Sequence, residues 1–212
     1  MEGIVSKSPK HNPLVEPASD EQGDVVIRDV QVLSDNWYTL RNYTIDVRRS
    51  DGTWQQQKRE VFDRGSGAGI LLYNKERQSI ILTRQFRLPA YLNGVAEGMM
   101  LEVPAGLLDD RDPAEAIRHE VAEETGYAIG EAELVTDCFA SPGAVTERLH
   151  LFLAEYDPAS RPSLGGGLVD EGEDIEVVEM GFDDALTAVA DGRIRDAKTI
   201  LLIYHARVHG VL

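Results

Sequence analysis

The sequence predicts an α/β fold: an α/β/α sandwich on a mixed sheet, with an N-terminal β-strand arm in front of it. Three observations carry this expectation. Residues 25–63 hold three strand-like runs with no helical stretch between them. From residue 67 onward strand patterns resume, broken by one strongly capped helix in the middle and two helical stretches near the end. A chain of 212 residues is long enough to bury a sizeable core, and one domain with an appendage suits it.

Residues 1–24 form a lead that carries Pro, Ser, Asn, Glu and Asp without periodicity and reads as flexible. The arm, 25–63, comprises strands at 25–33, 37–48 and 55–63, with Ser50-Asp51-Gly52-Thr53 as the hairpin turn between the last two. The main domain, 64–212, opens on a second hairpin, 67–73 and 79–86, followed by a strand at 98–103. A helix follows Asp112, which suits an N-cap; Pro113 suits the first helical position and Glu115 completes a capping box. Gly126 ends that helix. Ile117 and Val121 lie four residues apart and face the core. Strands at 132–139 and 148–156 flank the turn Ser141-Pro142-Gly143. Residues 157–174 form a long acidic loop containing Gly165-Gly166-Gly167, before a strand at 175–180. Helices at 182–190 and 196–209 close the chain, the second capped by Asp196.

Net charge is −16 and the isoelectric point about 4.6, which argues against nucleic acid or an anionic membrane as a partner. Cys138 is the single cysteine, so no intrachain disulfide forms; a core role and a reducing, cytoplasmic setting are expected. No apolar run approaches the roughly 20 residues of a membrane span.

The central helix carries the chemistry. Glu120, Glu123 and Glu124 are spaced i, i+3, i+4 and gather on one side of it, where like charges repel by roughly 0.2–0.5 kcal/mol per pair. A hard divalent cation resolves that conflict, because Mg²⁺ takes oxygen ligands and leaves room for water and substrate phosphates. The plainer reading is a solvated acidic face. Against it stands the ordered string of Gly106, Glu120, Glu123-Glu124 and Gly126.

That string resembles the Nudix box, Gly-x5-Glu-x7-Arg-Glu-(apolar)-x-Glu-Glu-x-Gly-(apolar). It departs at two points. His119 fills the Arg position, with Arg118 one residue before it, and the loop from Gly106 to the helix is one residue shorter. From about Leu33 to Val208 the chain looks like the GDP-mannose pyrophosphatase subgroup of the Nudix hydrolases. The resemblance runs through Leu33-Ser34-Asp35-Asn36, Lys58-Arg59-Glu60-Val61, Asp63-Arg64-Gly65, Arg84-Gln85-Phe86-Arg87, Ala105-Gly106-Leu107-Leu108-Asp109, Val145-Thr146-Glu147, Glu173-Asp174-Ile175-Glu176 and Ile194-Arg195-Asp196.

The resemblance implies hydrolysis of GDP-mannose to GMP and mannose 1-phosphate with Mg²⁺, Mn²⁺ being the substitute. It assigns the metal to the Ala105 carbonyl, Glu120, Glu124 and Glu173, with Glu123 in a supporting place. Glu147 and Glu173 are both candidates for general base. Trp37, Lys58, Arg59, Glu60, Arg87, Ala105, Glu124, Glu147 and Lys198 match substrate contacts. It also implies a homodimer paired through the arm. The long loop, ending at Glu173, is expected to act as a lid that orders on substrate. The rival readings are an ADP-ribose pyrophosphatase with the same chemistry and a non-catalytic nucleotide-sugar sensor.

Overall fold

The computed structural model describes residues 23–212, so most of the expected lead lies outside the described residues. The strands and helices in chain order are β1 (Val25–Asp35), β2 (Thr39–Arg48), β3 (Trp54–Asp63), β4 (Gly67–Asn74), β5 (Ser79–Phe86), α1 (Leu88–Leu92), β6 (Met99–Glu102), β7 (Ala105–Leu107), α2 (Pro113–Thr125), β8 (Glu133–Phe139), β9 (Arg148–Glu155), β10 (Glu176–Gly181), α3 (Phe182–Ala190) and α4 (Ala197–Val208). They fall into two compact units. One comprises Gly67–Cys138 with Leu149–Leu212; the other comprises the described residues up to Ser66 with Phe139–Arg148.

In the first unit seven strands form one mixed sheet in the order β10-β5-β4-β9-β8, with β6 against β5 and β7 against β4. The β4–β9 pair is parallel, while β4–β5 and β5–β10 are antiparallel. Strand periodicity sends alternate side chains to opposite faces. Ile70 and Leu72 of β4 accordingly pack with Ile117, Val121 and Tyr127 around α2, whereas Leu71 packs with Phe182, Ala185, Leu202 and Ile203 of α3 and α4. This is the expected three-layer sandwich. Cys138 is partly buried against the α3–α4 layer.

The strand expected at 98–103 is present as β6, and a second short strand, β7, follows it across Val103 and Pro104 because the sheet splays there. The C-terminal end of β4 (Leu72–Asn74) pairs with β5, but its N-terminal end (Gly67–Gly69) pairs with β7. The far end of β5 (Thr83–Phe86) pairs with β6. Between β6 and β7 the Pro104 carbonyl accepts from the Ile70 amide at 3.0 Å. Glu102 and Ala105 thus stand at the mouth of the gap where β4 and β5 part.

In the second unit β1, β2 and β3 form an antiparallel sheet, with two irregularities in β1 between Ile27 and Asp29 and between Val32 and Ser34. The expected hairpin turn is present: Gly52 takes a φ of +83° and the Asp51 carboxylate accepts from the Thr53 amide at 3.0 Å. Trp37 precedes β2 and does not belong to it. Among the described residues no helix is long and apolar enough to cross a membrane.

Candidate active site

α2 begins and ends as its sequence requires. The Asp112 carboxylate accepts from the Ala114 and Glu115 amides, and Gly126 closes the helix in the left-handed region at φ +77°. Ile117 and Val121 are fully buried. That orientation decides the fate of each acid. Glu124 is carried inward and is 1% exposed, Glu120 is half-buried, and Glu123 stays exposed. His119 and Arg118 lie on the exposed side, away from the buried acids.

β7 meets this helix at close range. The Ala105 amide donates to Glu124 Oε2 at 3.1 Å. Gly106 is in contact distance of the Glu120 carboxylate, and a Cβ there would overlap it. Burial pushes Glu124 up to about 8, reinforced by the charge of Glu120 and only partly opposed by the Ala105 amide. Glu120 is pushed up to about 7 by burial, then by Glu123, Glu173, Glu171 and Asp109. Two neighbouring carboxyls, one buried and one half-buried, that disfavour their own charge are an incomplete electrostatic arrangement. Oxygen donors of this kind fit a hard divalent cation. Among the described residues, however, no three His, Cys, Asp or Glu side chains are closed around one metal-sized point. Glu171 and Asp109 also belong to this acidic neighbourhood, though neither shares the helix spacing that marks Glu120 and Glu124 in the sequence.

Glu173 reaches the same neighbourhood from the long loop. Its Oε2 accepts from the Leu168 amide at 2.9 Å. The loop is bonded to the last turn of α2. The Gly166 amide donates to the Glu124 carbonyl at 2.9 Å and the Gly167 amide to the Glu123 carbonyl at 3.1 Å. Arg161 adds a bond from Nε to the Thr125 carbonyl at 3.0 Å. The loop therefore satisfies carbonyls that the end of any helix leaves open.

Arg87 and Lys198 lie in this unit as well. Arg87 follows β5 and forms a two-pronged bond to Glu102, at 3.1 Å from Nε and 2.9 Å from Nη2. Lys198, in the first turn of α4, gives Nζ to Glu102 and to Asp196, both at 3.0 Å. Arg87 and Glu124 feel each other's charge. Ala105, Glu120, Glu123, Glu124, Glu173 and Arg87 are thus drawn into one region of the first unit, with Lys198 reaching it through Glu102.

The remaining sequence-predicted residues belong to the second unit. Lys58, Arg59 and Glu60 are exposed on β3, with Lys58 and Glu60 on one face and Arg59 on the other. Trp37 is 41% exposed and packs edge-on to Tyr38, ring centres 6.4 Å apart. Glu147 is buried and pairs with Arg64 at 3.0 Å. The Asp63 carboxylate accepts from the Thr146 hydroxyl at 3.0 Å, which fixes the segment beside Glu147.

Known proteins match both units. Residues 24–62 match the family model described as the GDP-mannose pyrophosphatase NudK N-terminal domain, and residues 63–203 match the NUDIX domain. A protein of Pectobacterium atrosepticum named GDP-mannose pyrophosphatase is 53% identical over 184 residues, 87% of this chain and 94% of that one. Proteins of the same name from Cronobacter sakazakii and Klebsiella pneumoniae are 52% and 48% identical over 187 residues, 88% of this chain and 96% and 93% of theirs.

Proposed function

The chain belongs to the Nudix hydrolase family, and from that premise we propose that it hydrolyses the pyrophosphate bond of GDP-mannose, giving GMP and mannose 1-phosphate. The observation that carries the reaction class is geometric: Glu124, bonded to the Ala105 amide, and Glu120, against Gly106, meet β7 in one acidic neighbourhood that Glu173 joins from the loop. The name shared by relatives about half identical over nearly their whole length supports the substrate.

Nudix hydrolases generally use divalent metals, and we assign Mg²⁺, with Mn²⁺ as a substitute, to Glu120, Glu124, Glu173 and the Ala105 carbonyl. When bound, such an ion neutralises phosphate charge and lowers the pKa of an attacking water. The chain's own groups do the rest. The Ala105 amide holds Glu124 in one orientation. Arg87 offers a planar fork suited to phosphate oxygens, whereas Lys198 acts as a point charge. Glu147 and Glu173 are the two candidates for accepting the proton of the attacking water. Trp37, Lys58, Arg59 and Glu60 complete the proposed substrate contacts. A cytoplasmic setting rests on Cys138 being the only cysteine.

A substrate panel with Mg²⁺ and with EDTA tests this reading. We expect kcat/KM for GDP-mannose to equal or exceed that for ADP-ribose, and EDTA to abolish turnover. The opposite order by about tenfold or more makes the protein an ADP-ribose pyrophosphatase. Binding of a nucleotide sugar without turnover makes it a sensor.

We also propose a homodimer. The β1–β3 sheet leaves Val25, Val30, Val32, Leu33 and Trp54 exposed, and Trp37 is exposed between β1 and β2. A lone three-stranded sheet with apolar residues on its surface is poorly supported by itself. Light scattering should give twice the chain mass, and deletion of residues 1–63 should reduce it to one chain mass. A full-length monomer at assay concentration ends the proposal.

A further inference from the structure

The function proposed above gives Arg87 a place at the substrate but leaves Glu102 without a role. Glu102 is 4% exposed at the end of β6. Its two oxygens are both used: Oε1 and Oε2 accept the Arg87 fork, and Oε2 also accepts from Lys198. Although burial pushes its carboxyl up, Lys198 and Arg87 outweigh that and hold it at about 2. The acid is a fixed anion at any working pH.

Its setting is rigid. Lys198 is also tied to Asp196, which caps α4 through the Thr199 amide at 3.0 Å and hydroxyl at 2.6 Å. The Thr199 hydroxyl accepts from the Val103 amide at 2.8 Å, one residue beyond Glu102. The Glu102 carbonyl accepts from the Thr83 hydroxyl at 3.3 Å. Three elements, β5, β6 and α4, are thereby joined around one carboxylate.

Such a cluster is a weak device for stability alone, since apolar side chains of equal volume generally serve as well. Its asymmetry is the telling feature. Glu102 is 5% exposed at its side chain, but its partner Arg87 is 41% exposed. Glu102 engages the guanidinium by the Nε and Nη2 edge. Nη1 has no bond among the described residues. The planar fork is held from behind, with one edge left for an incoming anion.

We propose that Glu102 is a positioning residue for the hydrolysis: it clamps Arg87 by one edge so that the other meets the diphosphate of the substrate. The clamp fixes the rotamer before substrate arrives, so the ordering of a long side chain is not required at binding. This rests on the reading of the protein as a nucleotide-diphosphosugar hydrolase with Arg87 at the phosphates.

The test is a double-mutant cycle on the full chain, measuring kcat and KM for GDP-mannose in Mg²⁺. Glu102→Gln turns one accepting oxygen into a donor facing Arg87, and KM should rise about tenfold while kcat changes less than about threefold. Glu102→Asp keeps the charge but withdraws the fork by one methylene; it should fold as the parent does and show the same KM-weighted loss. In an Arg87→Ala background, Glu102→Gln should add less than about twofold, because Lys198 retains Asp196. Equal losses in both backgrounds, or a loss confined to kcat and thermal midpoint, overturn the positioning role and leave Glu102 structural. An unaffected Arg87→Ala also overturns it. A parent enzyme that hydrolyses no nucleotide diphosphosugar overturns the underlying reading instead, and is seen before any variant is compared.

Discussion

Glu124→Gln is expected to lower turnover by about 10²–10⁴-fold, roughly 3–5.5 kcal/mol of barrier, while making the metal-free protein more stable at pH 8 than its parent. The two halves of this expectation come from one fact. Glu124 is 1% exposed and its carboxyl is pushed up to about 8 by burial and by Glu120. Its pKa is raised on folding from 4.5, so the stability linked to it is fully present below about pH 4.5 and drains away as the pH climbs toward about 8. Glu120 adds the same sign over a window ending at about 7. Glutamine keeps the shape and still accepts from the Ala105 amide, but it has no charge to bury. Urea unfolding in EDTA at pH 5 and pH 8 should show the parent losing stability between the two, on the order of a few kcal/mol, and the variant losing less. Near-normal turnover in Mg²⁺ would refute the ligand assignment. A variant less stable than its parent at pH 8 in EDTA would refute the account of the buried charge.

Local chemistry made α2 legible. Asp112, Pro113 and Gly126 are start and stop signals that act within a few residues, and the structure places the helix ends where they point. The alternation of Ile70, Leu71 and Leu72 between the two core layers is equally local. The strand at 98–103 was legible, but the additional short strand β7 was not, because its pairing follows from the parting of β4 and β5. The short helix α1, Leu88–Leu92, was also not legible; Pro89 in its first turn is its one local signal, for it has no side-chain cap and buries no residue. The same contrast holds for the site. Glu120 and Glu124 stand out because a helix gathers like charges at fixed spacing. Glu102 reads as a lone acid in a strand, since its partners Arg87 and Lys198 come from 15 residues before and 96 residues after it. Glu171 and Asp109 enter the acidic neighbourhood only through folding.

Gly165→Ala should cost about 2–4 kcal/mol of stability, whereas Gly172→Ala, in the same loop, should cost about 1 kcal/mol. Both glycines lie in the left-handed region, at φ +71° and +77°, so both substitutions bear the strain of a Cβ there. They differ in what that Cβ would meet. At Gly172 nothing lies within 4 Å. At Gly165 it would stand 2.5 Å from the Glu124 carbonyl oxygen and 2.7 Å from the Gly126 nitrogen, both backbone atoms that cannot swing aside. The loop would have to lift, and the Gly166 bond to the Glu124 carbonyl and the Gly167 bond to the Glu123 carbonyl would go with it. Equilibrium urea denaturation of the two variants isolates the contact term, since the strain is common to both. Equal losses would mean that the loop is not seated on α2 in solution and that its glycines serve only to let it bend. The expected difference ties the loop to the chemistry, because the carbonyls it satisfies belong to the same residues whose side chains form the acidic cluster. A loop lifted from the last turn of α2 loosens Glu124 at its backbone, so Gly165→Ala should also lower turnover and Gly172→Ala should not.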